Sequence, residues 1–373
     1  MRSTRVANHE GHKVRITFVV PLLEVSGGAR IVAGHAERLV AAGHEVLIVV
    51  PRSSRLTLRD VMRRLAGRES RRVPEDRAAV QTVDVPLHVP NHYGKIVASD
   101  VPDADCIIAT WWETAEWISG FPRSKGAKVH FIQHYEGFAP MPAGRVDAVW
   151  RLPFSKITIA QWLVDLGRER FGIKKMALVP NGIDDQFRSN APRAKSDTPT
   201  VGFLFHNADF KDFPTTRATI TRLQEIRPDT RFLSFGSVMP AAGDLPVNVE
   251  FHHLPAQEMI ADIYQRCDVW LSTSRTEGFN LPPLEAMAGG CPVVCSKTGR
   301  PLEIIEDGIN GHLVNIGDVE GFATALANVL NHSEQSWAEM SEAARRAVAH
   351  PTWAESSALF ADALKQANEP SVT

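Results

Sequence analysis

No apolar run in this chain approaches the roughly 18 residues that a helix needs to cross a bilayer. Residues 1–13 are polar and lack the apolar core of a secretory signal, so they read as a disordered leader. Cysteine is scarce: Cys106, Cys267, Cys291 and Cys295. Cys291 and Cys295 mimic a C-x3-C ligand pair. The run between them reads as a buried strand, which would hold them roughly 13 Å apart at about 3.3 Å per residue. All four are expected to be small buried side chains in a reducing cytoplasm. A G-x-G-x-x-G dinucleotide fingerprint is also missing. Ser26-Gly27-Gly28-Ala29-Arg30 stands where it would fall, which argues against a dehydrogenase. The acidic triplet Asp103-Ala-Asp105 precedes a strand instead of ending one and reads as a turn, so no metal site is expected. No internal repeat is visible.

What is present is enough chain for two domains, 373 residues of ordinary globular composition. The net charge of −2 conceals an asymmetry. Residues 1–180 hold 26 Lys+Arg against 18 Asp+Glu, and residues 181–373 hold 15 against 25. A basic half joined to an acidic half suggests different partners for each. Apolar strand-like runs alternate with amphipathic segments throughout. Val14–Pro21, a helix over about 29–42 and Glu45–Val50 form a βαβ unit whose continuous apolar strands predict a parallel sheet covered on both faces. Cys106–Ala109, Lys128–Ile132, Lys156–Ile159 and Met176–Val179 continue it. Pro180-Asn-Gly-Ile-Asp184 and the polar stretch to Pro199 mark a boundary. A second alternation follows through Thr200–Leu204, Thr230–Phe235, Val249–Phe251, Asp268–Leu271 and Pro292–Cys295. Two doubly wound α/β domains in tandem are expected, over residues 14–184 and 198–350.

The most informative stretch is Arg275-Thr-Glu277-Gly278-Phe279-Asn280-Leu281-Pro-Pro283-Leu-Glu285-Ala-Met-Ala-Gly-Gly290. Two acids stand eight positions apart around a turn and a Pro-Pro pair that can open a helix. The amides of such a helix end attract phosphate. Glu285 and Glu277 can accept hydrogen bonds from the hydroxyls of a ribose and of a second polyol. The run continues through Pro292-Val-Val-Cys-Ser296 and Gly299-x-x-x-Glu303 to Asp-Gly308-x-Asn-Gly311.

In that order, the string resembles the donor site of retaining GT-B glycosyltransferases, in particular glycosyltransferase family four. The resemblance extends over about residues 14–364. It implies two Rossmann-like domains facing a cleft, with a C-terminal helix (about 353–373) returning to the first. It also implies a nucleoside-diphosphate sugar as donor substrate and no cofactor. On the donor it places Glu277, Gly278, Phe279, Asn280, Leu281, Glu285 and Lys211, with Gly27 and Gly28 at the donor phosphates, where Arg30 can support the same anion. The family carries an Arg five positions before Lys211, where this chain has His206, so one fixed cation stands where two are expected. His134 falls where the family sets a histidine close to the transferred sugar. His134, Lys211 and Glu277 are the catalytic candidates; Trp111, Trp112 and Glu136 are candidates for the acceptor.

The reaction this implies is transfer of a hexosyl or deoxyhexosyl group, with retention, to a glycan, lipid-linked or small-molecule acceptor in surface polysaccharide or glycoconjugate synthesis. The Ile132-Gln-His-Tyr-Glu-Gly137 and Trp111-Trp-Glu-Thr114 segments resemble polysaccharide rhamnosyltransferases. A nucleotide-sugar epimerase of the same fold, or a catalytically inactive nucleotide-sugar binder, remain alternatives. No nucleic-acid partner is expected. Nine arginines between Arg52 and Arg77, with Leu58, Val61, Met62 and Leu65 at helical spacing, form a basic amphipathic pattern. It suits peripheral contact with the inner face of the plasma membrane by a cytoplasmic protein, or a solvated flap.

Overall fold

The computed structural model describes residues 13–21, 27–52, 84–137, 141–189, 191–246 and 248–369. They divide into two compact units. One comprises the described residues up to Thr158, with Leu166–Val179 and those from Ser357 onward; the other comprises Ile159–Asp165 and Pro180–Ser356.

The first unit is built on strands β1 (Arg15–Val19), β2 (Glu45–Val49), β3 (Leu87–His88), β4 (Cys106–Ala109), β5 (Ala127–Ile132), β6 (Ser155–Thr158) and β7 (Ala177–Leu178). They form one sheet in the order β3-β2-β1-β4-β5-β6-β7, every pairing parallel. The apolar run Ile16–Val19 is buried along its whole length, as a strand covered on both faces must be. One covering element is the helix Trp353–Asn368. Its Phe360 stacks on His35 of the helix Gly27–Ala41 at 4.3 Å between ring centroids and meets Phe131 of β5 edge-on at 5.0 Å. Burying such a ring stabilises by about 1.5–3 kcal/mol.

The second unit contains β8 (Thr200–Leu204), β9 (Arg231–Gly236), β10 (Val249–His253), β11 (Val269–Ser272), β12 (Val293–Ser296) and β13 (Gly311–Val314). The order is β10-β9-β8-β11-β12-β13, again parallel throughout. Val201, Phe203, Phe232, Leu271, Phe322 and Trp337 lie in its core, where the Trp337 indole donates to the Asp268 carbonyl at 2.9 Å. In each sheet the strand order reverses beside the first strand, at β1/β4 and at β8/β11. Ligands of such sheets bind at the carboxyl ends of the strands at this switch point.

The division between units departs from the expected boundary at 184 and 198. Residues 180–197 belong to the second unit, and their polar groups are tied into it. Arg193 donates to the carbonyls of Gln265 and Cys267 at 2.5 and 2.8 Å. The Ser196 amide donates to Asp268 at 2.8 Å. Among the described residues no helix is long and apolar enough to cross a membrane. The leader through residue 12 and the arginine-rich segment beyond Arg52 lie outside the described residues.

Candidate functional site

At the switch point of the second sheet the chain leaving β8 meets the chain leaving β11. The first carries Lys211 at the end of a short turn, Asp209–Lys211. The second carries Glu277. Their side chains form an ion pair, Nζ to Oε1, at 2.5 Å. The Ser274 hydroxyl donates to the same oxygen at 2.8 Å, and the Glu277 amide donates to the Thr298 hydroxyl at 3.1 Å. Glu277 is 7 % exposed. Among the described residues both of its carboxylate bonds fall on Oε1. The chain after β12 closes in tightly here. Gly299 has a φ of 65°, and a Cβ on it would come within 2.9 Å of Glu277 Cβ and 3.0 Å of the Phe279 carbonyl. Glycine alone meets both demands.

Beyond Glu277 the backbone turns through Asn280, which takes a left-handed conformation (φ 72°) and donates through Nδ2 to Ser272 at 2.9 Å. The helix Leu281–Ala288 then begins. It opens at Leu281, two residues earlier than Pro283, and this changes the expected phosphate seat. Pro282 and Pro283 occupy the first turn and have no N–H, so Leu281 is the only residue of the first three that can offer an amide. Glu285 lies in the second turn of the helix. It is buried, and its Oε2 accepts a hydrogen bond from Tyr264 at 2.9 Å. Phe279 is buried and its carbonyl accepts from the Arg300 amide at 2.9 Å. The Gly278 carbonyl is held by the Trp162 indole at 2.9 Å, and the Trp162 amide donates to Glu303 at 2.9 Å. Arg300 pairs with that same Glu303. Trp162 and Tyr264 were not singled out from the sequence. Both precede the E-x7-E run, and neither spacing nor composition links them to it.

His206 departs from the picture of a spare cation. It is half-buried, and its Nδ1 accepts the Ala208 amide hydrogen at 3.0 Å. Burial, then the nearby Lys211 charge, lowers its pKa, against a smaller opposite effect of Glu277. The imidazole is therefore neutral at pH 7, with its proton on Nε2.

In the first unit the same end of the sheet carries the remaining candidates. Gly27 and Gly28 form the first turn of the helix Gly27–Ala41 rather than a loop. A Cβ on Gly28 would meet the Gln133 side chain at an ordinary 3.5 Å, and one on Gly27 would meet nothing. Packing thus does not require either glycine. His134, after β5, donates from Nδ1 to the Tyr135 carbonyl at 2.9 Å. Glu136 is 2 % exposed, and its Oε2 has no hydrogen-bond partner. Burial pushes its carboxyl up to about 8. Trp112 is a correction: it is buried, with the Arg145 guanidinium 4.6 Å from its ring centre, so its face is not open to a sugar. Trp111 is half-buried and precedes the helix Trp112–Ser119.

The acidic triplet is spent on ion pairs, Asp103 with Lys125 at 3.0 Å and Asp105 with Arg15 at 2.8 Å. Among the described residues no three His, Cys, Asp or Glu side chains are grouped to hold a metal ion. All four cysteines are buried and unbridged.

Residues 201–332 match the family model of the glycosyl transferases group 1. The chain is 26 % identical over 188 residues to the N-acetyl-alpha-D-glucosaminyl L-malate synthase of Bacillus anthracis, covering 47 % of this chain and 49 % of that protein. It is 32 % identical over 133 residues to the D-inositol 3-phosphate glycosyltransferase of Saccharomonospora viridis, covering 35 % and 31 %. The chain thus spans at most about half the length of these curated relatives. Among solved structures, HepE of Anabaena in complex with UDP and glucose aligns with a TM-score of 0.71 at 16 % identity, over 94 % of this chain and 99 % of that one. By fold the chain therefore belongs with the GT-B structures, and its residues 201–332 match the glycosyl transferases group 1.

Proposed function

We propose that this protein is a glycosyltransferase that takes a hexosyl or deoxyhexosyl group from a nucleoside-diphosphate sugar and passes it, with retention of configuration, to a glycan, lipid-linked or small-molecule acceptor. The observation that carries this reading is the Lys211–Glu277 pair at the β8/β11 switch point. A diphosphate arriving there exchanges Glu277 for phosphate oxygens at the Lys211 ammonium. The charge that builds on the leaving diphosphate as the glycosidic bond breaks is then met by a positioned cation, with the Leu281 amide as a neutral donor. Glu277, through Oε2, accepts from a hydroxyl of the donor sugar. Glu285, oriented by Tyr264, takes a ribose hydroxyl. In the first unit, His134 and the neutral Glu136 carboxyl are assigned to the transferred sugar and the acceptor, and Gly27 and Gly28 to phosphate, on the resemblance. A role in surface polysaccharide synthesis, and attachment to the inner membrane face through the segment Arg52–Arg77, belong to the same reading.

UDP is the first probe, since HepE was solved with it. A nucleoside diphosphate should raise the melting temperature in the presence of a chelator. Stabilisation that appears only with magnesium or manganese would remove the metal-independent reading. A panel of nucleotide sugars, followed by NMR of the product's anomeric proton, then tests transfer and retention. Interconversion of two nucleotide sugars without transfer would point to an epimerase, and binding without turnover to an inactive binder. Co-sedimentation with anionic liposomes, before and after replacing Arg59, Arg63, Arg64 and Arg68 with Gln, tests the membrane contact.

A further inference from the structure

Two ion pairs join the loop after β8 to the loop after β11. Lys211 reaches Glu277. The next residue, Asp212, reaches Arg275, which lies two positions before Glu277. The guanidinium grips the carboxylate by an edge, with Nε 3.1 Å from Oδ2 and Nη2 3.2 Å from Oδ1. The charges cross over: the β8 loop gives a base to the first pair and an acid to the second.

Asp212 is not placed as a solvated loop acid would be. Its side chain is 2 % exposed, and its backbone is left-handed (φ 51°), a conformation that residues with a Cβ adopt at a cost. It precedes the helix Phe213–Ile226, where an aspartate ordinarily accepts a first-turn amide, yet its side chain caps nothing there. Its Oδ2 accepts instead from the Thr215 hydroxyl at 2.8 Å. The backbone is tied across as well. The Arg275 amide donates to the Phe210 carbonyl at 2.7 Å, and the Thr273 hydroxyl donates to the Asp212 carbonyl at 3.2 Å. Every one of these bonds joins or braces the same two loops.

We propose that the Asp212–Arg275 pair is a positioning latch for Lys211 and Glu277, holding the two loops in register while a donor phosphate draws Lys211 away from Glu277. The proposal rests on the donor reading above. A diphosphate competes with Glu277 for the one ammonium, so the Lys211–Glu277 pair weakens when the site fills. The planar two-point guanidinium–carboxylate pair does not involve the ligand and keeps its geometry. Lys211 and Glu277 then stay within reach of different parts of one donor molecule.

The test uses Arg275→Gln, Arg275→Lys and Asp212→Gly. Glycine suits the left-handed backbone and removes only the carboxylate. Hydrogen exchange of the ligand-free protein is read first over residues 208–216. The latch predicts exchange about tenfold faster there in Arg275→Gln and Asp212→Gly, with partial recovery in Arg275→Lys. A purely conformational role for position 212 predicts wild-type exchange in Asp212→Gly. With nucleotide, the donor KM should rise about tenfold while kcat falls less. Unchanged exchange in Arg275→Gln overturns the latch whatever the site binds. Faster exchange with wild-type UDP affinity and wild-type KM overturns its positioning role. A wild-type protein that binds none of UDP, GDP, ADP and TDP overturns the donor reading, and the exchange data still decide the latch.

Discussion

The two units share a strand order and differ in how they use the polar groups at the carboxyl ends of their strands. In the second unit these groups are paired with one another: Lys211 with Glu277, Asp212 with Arg275, Asn280 with Ser272 and Glu285 with Tyr264. In the first unit Glu136 Oε2 and Trp112 Nε1 are buried without a hydrogen-bond partner, as is His130 Nδ1 within β5, whereas unpartnered buried groups of the second unit include the hydroxyls of Thr219, Thr230 and Ser234, which do not titrate near neutral pH. A paired constellation keeps its geometry before any ligand arrives. An unpartnered buried group carries a desolvation cost that a ligand or a change of protonation can relieve. The second unit is therefore expected to be sensitive to loss of a partner, and the first to pH.

Breaking the central pair should have the largest effect on activity. Lys211→Met strands the Glu277 carboxylate beside Ser274 alone. Removing one partner of a buried pair costs about 3–5 kcal/mol. The partial exposure of the Lys211 side chain, 17 %, lowers the expectation to about 2–3 kcal/mol. Glycosyl transfer should fall by about 100-fold or more, the cost of losing one preorganised charge partner. The double variant Lys211→Met/Glu277→Leu should recover much of the stability and none of the activity. Urea titrations of the two variants check this. Equal destabilisation would mean that the pair is not coupled.

The first unit should respond to pH in two directions. Burial, reinforced by Arg38 for His35 and by Lys156 for His130, lowers both imidazoles from the usual 6.5 to about 3. The unfolded chain takes up protons near 6.5 and the folded one does not, so the stability present above 6.5 is lost as the pH falls toward 3. Glu136 acts oppositely. Burial raises it from 4.5 to about 8, so stability is fully present below 4.5 and falls as the pH rises through 8. Glu136→Gln should remove that alkaline loss, a gain of roughly 2–4 kcal/mol at pH 8 on linkage grounds. Melting curves from pH 5 to 8.5 for wild type and variant would show it. Parallel curves would mean that Glu136 ionises freely in the folded state.

How much of this was legible beforehand follows the same division. Strands buried on both faces announce themselves as apolar runs, and Cys106–Ala109 and Thr200–Leu204 fall where the sequence places them. The two-residue β3, Leu87–His88, is too short to show a pattern. Lys211 and Glu277 were singled out because a motif fixes their register, yet no local rule predicts that they touch. Asp212, Tyr264 and Trp162 act through partners far along the chain, and long-range pairing leaves no periodicity. The helix expected over about 29–42 leaves out Gly27 and Gly28, since glycine is a poor helix former, but the helix starts with them. Trp112 read as a candidate platform because aromatic side chains serve sugars and cores equally; burial under Arg145 decides for the core.

Tyr264→Phe sharpens the contrast at smaller scale. It removes the hydroxyl that donates to Glu285 and nothing of the ring that packs on Trp270 at 4.7 Å. Loss of a hydrogen bond to a charged group should cost about 1.5–3 kcal/mol. If Glu285 holds the ribose, nucleoside diphosphate affinity should fall as well, and Glu285→Ala should weaken it further. Calorimetry that finds unchanged affinity in both variants would detach Glu285 from the nucleotide.

The smallest effect is expected at His206, where the second unit itself holds a neutral group beside its cation. The imidazole accepts the Ala208 amide hydrogen and offers Nε2–H. His206→Arg loses that acceptor, a cost of about 0.5–1.5 kcal/mol, and gains a fixed charge next to the Lys211 turn. A guanidinium facing a diphosphate gains a comparable amount or more, but only in the complex, so the free variant is slightly less stable and its ligand complex is favoured. Nucleoside diphosphate should bind about three- to tenfold tighter. The gain should shrink with added salt, because it is charge facing charge near solvent. The wild-type protein should approach the variant as the pH falls through the lowered pKa of His206, since protonation supplies the same charge. Titrations at two salt concentrations and two pH values separate these outcomes. A variant that binds as before but no longer turns over would show that His206 needs its neutral form, and that the Nε2 hydrogen, rather than a missing cation, is what this position contributes.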